Sequence, residues 1–452
     1  MQVTEKNADG FKRTLEVVVG ASELGERFSA RLDEIKDTVH LKGFRKGKVP
    51  VAHLKKVYGR ALMAEVLQKA VEETSKKAIA ERKERPALAP DIAFPEDKAE
   101  IDRVIAGQAD LAYTMSFEVL PPIPLADFSE FKLERLVAEP DGAAVEEAIA
   151  NLAKRATSYE KAGDDHAAAE GDRLTVDFSG KIGGEAFEGG EALGVEIVIG
   201  QDGFIPGFEE GLKGAKEGER RTVAAAFPAE YPVPALAGKD AEFDVTVKAV
   251  ARPLVPEIGD AFAAGLGAEN LEKLRDFVRA RIAAEYVAAS RQKIKRELLD
   301  ALDKAHGFAL PPSLVDHEFQ AIWRKVEADM KRSGATFPHE GKTEEEIREE
   351  YRRIAERRVR LGLVLGEIGD KNGIDVKQDE LRRALVAQAR RFPGQEKFVY
   401  EYFEKTPGAL MELRAPIFED KVVDLVLSRA GVTERKVDKD ELVRLAQETD
   451  ES

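Results

Sequence analysis

The sequence predicts a multidomain α+β protein, on three observations. An amino-terminal block mixes helix-period and strand-period apolar residues. A glycine-crowded stretch over 171–252 carries short alternating runs, and the chain beyond Pro253 and Pro256 is helix-patterned for most of its length. At 452 residues, 43% of them apolar, the chain is long enough for about three domains and too apolar to stay disordered. Lys and Arg number 70 against 85 Asp and Glu, a net charge of −15. Such a chain is a poor general nucleic-acid binder, because neutralising phosphates takes clustered cations, although a local basic surface stays open. There is no cysteine, which excludes disulfides, thiolate metal sites and thiol nucleophiles. Residues 1–10 lack the basic start and apolar stretch of a secretory signal, and no run of 18 apolar residues occurs. A cytoplasmic protein without membrane contact is expected.

Residues 14–19 read as a strand. Leu24, Phe28, Leu32, Ile35 and Val39, at spacings of 4, 4, 3 and 4, then share one helical face. After a segment bearing glycine and proline at 43–50, helices are expected over 51–58 and 61–84, with Leu62, Val66 and Ala70 on one stripe of the second. Gly59 is expected to break them apart. Leu111, Tyr113, Met115, Phe117 and Val119 alternate with Ala112, Thr114, Ser116 and Glu118, the period of a half-buried strand. Pro121, Pro122 and Pro124 end that strand, since proline has no N–H for a ladder, and a short helix over 145–158 follows.

In the glycine-crowded stretch Leu174, Val176 and Phe178 alternate, as do Phe243, Val245 and Val247, so a compact sheet-rich insert with tight turns is predicted. Farther on, Leu271, Leu274, Val278 and Ile282 share a helix face, and Gly307, Pro311 and Pro312 separate that helix from the next. Thr343 and Glu346 form a capping box ahead of Ile347, Tyr351 and Ile354. Another helix over 380–391 stops at Pro393-Gly394, and the polar residues from about 447 are expected to fray.

Gly43-Phe44-Arg45-Lys46-Gly47-Lys48-Val49-Pro50 falls between two predicted helices. Its glycines allow bends, and Pro50 suits the first turn of a helix. Residues 36–60 hold eight Lys or Arg against one acid, Asp37, a net of +7 inside a chain of −15. By composition alone such a loop is more often solvated, with its Phe tucked into its own core. Cations beside an aromatic also suit docking onto an anionic partner that offers a pocket. The motif closely resembles the ribosome-docking motif of bacterial trigger factors, a family of ATP-independent chaperones. The resemblance implies that Phe44, Arg45 and Lys46 bind a ribosomal protein and nearby rRNA at the polypeptide exit.

Phe204, Ile205 and Phe208 stand at i, i+1 and i+4, so a short helix would present them on one side. Phe178, Phe187, Phe208, Tyr231 and Phe243 come from separate segments and are expected to converge; an ordinary small-domain core is the alternative. Asp177-Phe178-Ser179-Gly180, Ala186-Phe187-Glu188-Gly189, Phe204-Ile205-Pro206-Gly207-Phe208-Glu209-Glu210-Gly211 and Ala241-Glu242-Phe243-Asp244-Val245, in that order, resemble the FKBP-type prolyl isomerase domain. The resemblance implies a proline pocket lined by Phe178, Phe187, Phe204, Ile205, Phe208 and Phe243, with Phe208 as a floor where many relatives use Trp. Glu188 falls where relatives carry Asp. Near the rim Tyr231 is kept, while a second Tyr becomes Val233.

The chemistry implied needs no acid or base. An X-Pro bond turns slowly because resonance makes its C–N bond partly double, a barrier of about 18–20 kcal/mol. A dry aromatic pocket disfavours the polar planar amide and holds the twisted one, so catalysis lies in differential binding. No metal or cofactor is expected. None of the histidines at 40, 53, 166, 306, 317 and 339 pairs at ligand spacing, and no Walker loop or Gly-x-Gly-x-x-Gly helix start occurs.

Phe392, Phe398, Tyr400, Tyr402 and Phe403 give the later helices mixed faces, which suit a plain bundle. The trigger factor resemblance, diffuse here, implies arms and a cradle for nascent or unfolded polypeptides. It also implies a division into a ribosome-binding domain at 1–120, a linker and first part of a discontinuous helical chaperone domain at 121–157, an FKBP-type antiparallel sheet domain with a short helix at 158–252, and the rest of the helical domain at 253–452. Whether the free protein forms a homodimer stays open. A free cytosolic isomerase without ribosome docking is the main alternative, and a periplasmic-type chaperone with an isomerase insert is disfavoured by the missing signal segment.

Overall fold

The computed structural model describes residues 1–36, 39, 49–95, 97–163, 165–201, 203–231, 233, 235–333, 342–406 and 408–447. The predicted tip Phe44, Arg45 and Lys46 and the end expected to fray lie outside them. In chain order the elements are β1 (Gln2–Asp9), β2 (Lys12–Val19), α1 (Ala21–Lys36), α2 (Val51–Arg82), β3 (Asp91–Ala93), α3 (Lys98–Ile105), β4 (Leu111–Glu118) and β5 (Lys132–Val137). There follow α4 (Gly142–Arg155), β6 (Ser158–Lys161), β7 (Arg173–Ile182), β8 (Glu185–Val198), α5 (Phe208–Leu212), β9 (Arg220–Ala226) and β10 (Asp240–Leu254). The remainder comprises α6 (Asp260–Gly265), α7 (Leu271–Ala305), α8 (Pro312–Ser333), α9 (Glu344–Asn372), α10 (Gln378–Ala389), α11 (Glu396–Lys405), α12 (Ala409–Arg429), β11 (Gly431–Lys436) and α13 (Lys439–Gln447). The chain falls into two compact units, Met1–Arg135 with Ile294–Thr433, and Leu136–Lys293 with Glu434–Ser452.

In the first unit β1, β2, β4 and β3 form an antiparallel sheet in that order, with Leu15 opposite Met115 and Val17 opposite Tyr113. The alternation of β4 buries Leu111, Tyr113, Met115 and Phe117 beside Leu15, Val17 and Val19, against Leu24 of α1 and Ala70 and Ala78 of α2. The buried Tyr113 hydroxyl meets those of Thr74 and Ser75 at 2.8 and 2.9 Å, so its polar atom is satisfied. By contrast β1 has no alternation to read, because all of its residues except Val3 are exposed.

Helix α2 runs unbroken through Gly59, contrary to the break expected there. Leu54 on one side of that glycine and Leu62, Met63 and Val66 on the other pack with Phe28, Leu32 and Ile35 of α1. This burial outweighs the roughly 1 kcal/mol that a helical glycine costs. The helix ends instead at Lys83, whose φ of 55° is left-handed.

The helices of this unit share a second core. Leu298 and Leu302 of α7, Val364 and Ile368 of α9, and Val422, Val423 and Val426 of α12 enclose it, with Ile123, Phe128 and Leu133 from the stretch after the prolines. His306 is a satisfied core histidine: its Nε2 accepts from the Ala126 N–H at 3.2 Å and its Nδ1 lies 2.7 Å from the Leu302 carbonyl. The capping box forms as read, the Glu346 N–H reaching Thr343 Oγ1 at 3.3 Å while the Glu346 carboxylate accepts the Thr343 N–H at 2.8 Å.

In the second unit β6, β10, β7 and β8 lie in that order, all antiparallel, and β9 also pairs with β10. Phe178 stands opposite Val245 and Gly180 opposite Phe243. Apart from the sheet, Leu274 and Val278 of α7 bury with Val145 and Ile149 of α4 and Phe262 of α6, with Leu271 and Ile282 against them, which is the helix face the spacing predicts.

Candidate active site

Sheet geometry and one short helix gather the predicted rings. Phe178 comes from β7, Phe187 from β8, Phe243 from β10, and Phe208 opens α5. Phe208 lies 5.0 Å from Phe243 and 5.5 Å from Phe178, and Phe178 lies 5.8 Å from Phe243, centroid to centroid and edge-on. Phe187 reaches Phe243 edge-on at 6.2 Å. Such T-shaped contacts place the positive edge of one ring on the negative face of the next. Phe208 and Phe243 are 1% and 5% exposed. Phe178, Phe187, Phe204, Ile205 and Tyr231 are half-buried against the same cluster. The result is a closed aromatic floor with half-open rings above it.

The short helix does not carry Phe204 and Ile205. It begins at Phe208, because Gly207 takes a left-handed φ of 90° and stops the helix from extending backwards. Phe204 and Ile205 occupy the preceding turn, from which Phe204 stacks on Phe208 at 5.4 Å and 19°. Gly180 has a steric reason of its own: a Cβ there would sit 2.8 Å from Phe243 Cδ1 and 3.0 Å from Phe187 Cε1. Bare backbone is what lets the two rings approach.

The sequence reading missed Phe227. Buried just after β9, it lies 5.8 Å from Phe187 and 4.8 Å from Tyr231, and so ties the rim to the floor. Alternation of Val223, Ala225 and Phe227 could have found it, but alanine weakens the pattern. Glu188 and Val233, in contrast, are exposed.

The charges nearby keep to the other side of the strands, since neighbours along a strand point to opposite faces. Asp177, next to Phe178, pairs with Lys248 at 2.9 Å and accepts the Gly194 N–H at 2.8 Å. Lys248 first, then Gly194, holds its carboxyl below the usual range. Lys181, 3.0 Å away, does the same for Asp244, aided by Thr222. Among the described residues no cluster of His, Asp and Glu could hold a metal ion.

A second aromatic surface lies on α11 in the first unit. Val399 and Phe403 bury against Ala389 and Ala409. Phe398 is 71% exposed and Met411 65%, and Phe392, Tyr400, Tyr402 and Leu410 are also exposed.

Three family models match consecutive parts of the chain: bacterial trigger factor protein at residues 1–152, FKBP-type peptidyl-prolyl cis-trans isomerase at 164–248, and the bacterial trigger factor carboxyl terminus at 270–428. The trigger factor of Methylocella silvestris is 50% identical over 444 residues, 98% of this chain and 96% of that protein. That of Rhodopseudomonas palustris is 49% identical, covering 98% of each chain. The chain belongs to the trigger factor family. As a trigger factor it is a chaperone with a ribosome-binding amino-terminal domain and an FKBP-type isomerase domain. The fold agrees with a solved structure described as "Promiscuous Substrate Recognition in Folding and Assembly Activities of the Trigger Factor Chaperone", with a TM-score of 0.51 at 22% identity over 95% of this chain and 99% of that one. Among the described residues, no helix of this family member is long and apolar enough to cross a membrane.

Proposed function

We propose that the ring cluster binds the proline of an X-Pro segment and catalyses its cis/trans isomerisation, making the chain a peptidyl-prolyl cis-trans isomerase. Phe178, Phe187, Phe204, Ile205, Phe208 and Phe243 line the pocket in this reading, with Glu188 and Tyr231 at its rim. The observation that carries it is the buried floor of Phe208 and Phe243 beneath half-open rings. An apolar surface of this kind withholds the hydrogen bonds that favour the planar, charge-separated amide, and so lowers the cost of twisting it. Binding does the work, and no proton needs to move.

In the same reading the chain divides at 1–120, 121–157, 158–252 and 253–452, and works in the cytoplasm. Phe44, Arg45 and Lys46 dock it on a protein and nearby rRNA at the ribosomal exit. The exposed rings on and beside α11 take apolar stretches of nascent polypeptides, the use that an uncovered apolar patch of this kind supports.

Co-sedimentation with ribosomes separates this from a free isomerase. Wild type is expected in the pellet and the Phe44→Ala, Arg45→Ala, Lys46→Ala triple variant in the supernatant, with added salt releasing wild type because part of the attraction is ionic. Equal pelleting of both proteins, or of neither, overturns the docking assignment.

A further inference from the structure

Glu209, the residue after Phe208 in α5, is only 9% exposed although it carries a carboxylate. A charge so buried is normally answered by partners. Among the described residues, three of them are backbone groups of one loop. Glu209 Oε2 accepts the Gly200 N–H at 2.8 Å and the Gln201 N–H at 3.2 Å, and Oε1 accepts the Gly203 N–H at 2.8 Å. Bonds to an ionised acceptor are stronger than neutral ones, and a carboxylate has room for several donors at once.

The loop so gathered runs from the end of β8 to Phe204 and Ile205. Its start is anchored where the Ile199 N–H meets the Asp172 carbonyl at 3.0 Å and the Gly171 N–H meets the Ile199 carbonyl at 2.9 Å. Its far end returns to α5, with the Phe208 N–H on the Ile205 carbonyl at 3.1 Å and Phe204 stacked on Phe208. One side chain of α5 thereby holds the loop that delivers a ring, Phe204, and an aliphatic side chain, Ile205, to the cluster around the floor residue beside it.

We propose that Glu209 is a positioning residue of the isomerase site: by collecting the amides of Gly200, Gln201 and Gly203 it sets Phe204 and Ile205 over Phe208. This rests on the isomerase reading above. Glu209 does not touch the bound proline; it acts through the wall. Glutamine in its place has nearly the same shape but turns one acceptor into a donor facing an N–H. At least one loop amide then loses its partner, and the wall loosens while the floor stays on its strand and helix.

Steady-state isomerisation of a prolyl peptide by the full chain tests this. Glu209→Gln is expected to lower kcat/KM about tenfold with most of the loss in KM. A variant that merely folds less well has fewer active molecules, which lowers kcat and leaves KM alone. An unchanged KM in Glu209→Gln therefore overturns the proposal. Hydrogen exchange on the wild type is the second measurement, needed where the variant does not fold. The amides of Gly200, Gln201 and Gly203 are expected to be protected together, and free exchange at all three overturns the clamp. A wild type that does not isomerise the peptide overturns the isomerase reading, and the role of Glu209 with it, whatever the amides show.

Discussion

Phe208 and Phe398 are the same residue type, each on a helix, at 1% and 71% exposure. The difference lies in how many pieces of chain converge on each ring. Phe208 opens a helix laid across a sheet, and β7 and β10 each send a ring into its edge or face while the preceding turn adds Phe204. Helix α11 is covered along one stripe only, where Val399 and Phe403 meet the small side chains of Ala389 and Ala409. Phe398, Tyr400 and Tyr402 fall off that stripe. A site that must discriminate one twisted bond needs rings fixed by several neighbours. A surface for varied clients needs apolar area left uncovered, and rings free to adapt.

The comparison breaks most directly by removing one ring from each region. Phe208→Ala empties a site shared by Phe178, Phe204 and Phe243, and is expected to destabilise the isomerase domain by about 3–5 kcal/mol and to abolish isomerisation. Phe398→Ala is expected to change stability by no more than about 0.5 kcal/mol while weakening suppression of client aggregation. Denaturant unfolding, peptide isomerisation and client light scattering read the contrast; equal destabilisation by the two would erase it.

A subtler test adds an atom. Gly180→Ala places a methyl against the rings of Phe243 and Phe187, and is expected to cost about 1–3 kcal/mol and slow isomerisation, because the added carbon would come within 3.0 Å of atoms of both rings and something must shift. If thermal unfolding and rate match wild type, the floor is softer than its geometry states. The smallest effect concerns acid. Asp177 has its carboxyl held below the usual value, so its contribution to stability is fully present above that value and is lost as pH falls through the lower, folded one. Lys248→Met removes the main cause, and its unfolding midpoint is expected to fall less steeply with acid than that of wild type. Parallel acid profiles would show that this pair adds nothing to the sheet.

Much of the site was legible because its signals are local. Alternation placed Phe178 and Phe243 on strands, and motif order placed Phe187 and Phe208 near them. Phe227 escaped notice because its strand alternates through alanine. The start of α5 was misread because i, i+1, i+4 spacing describes a helix whether or not one forms, and Gly207 decides that it does not form before Phe208. Gly59 was misread in the opposite sense, since breaking propensity is weak beside the burial that α1 offers α2.

By itself the sequence determined what neighbours along the chain can settle: the stripe of α1, the alternation of β4, the capping box of α9, the basic run at 36–60 and the motifs that mark the family. Tertiary structure alone decided which aromatics close over one another, which stay in water, and that the Glu209 carboxylate collects a loop. Burial and hydrogen bonding between distant segments depend on what arrives from elsewhere in the chain, and periodicity carries no record of that.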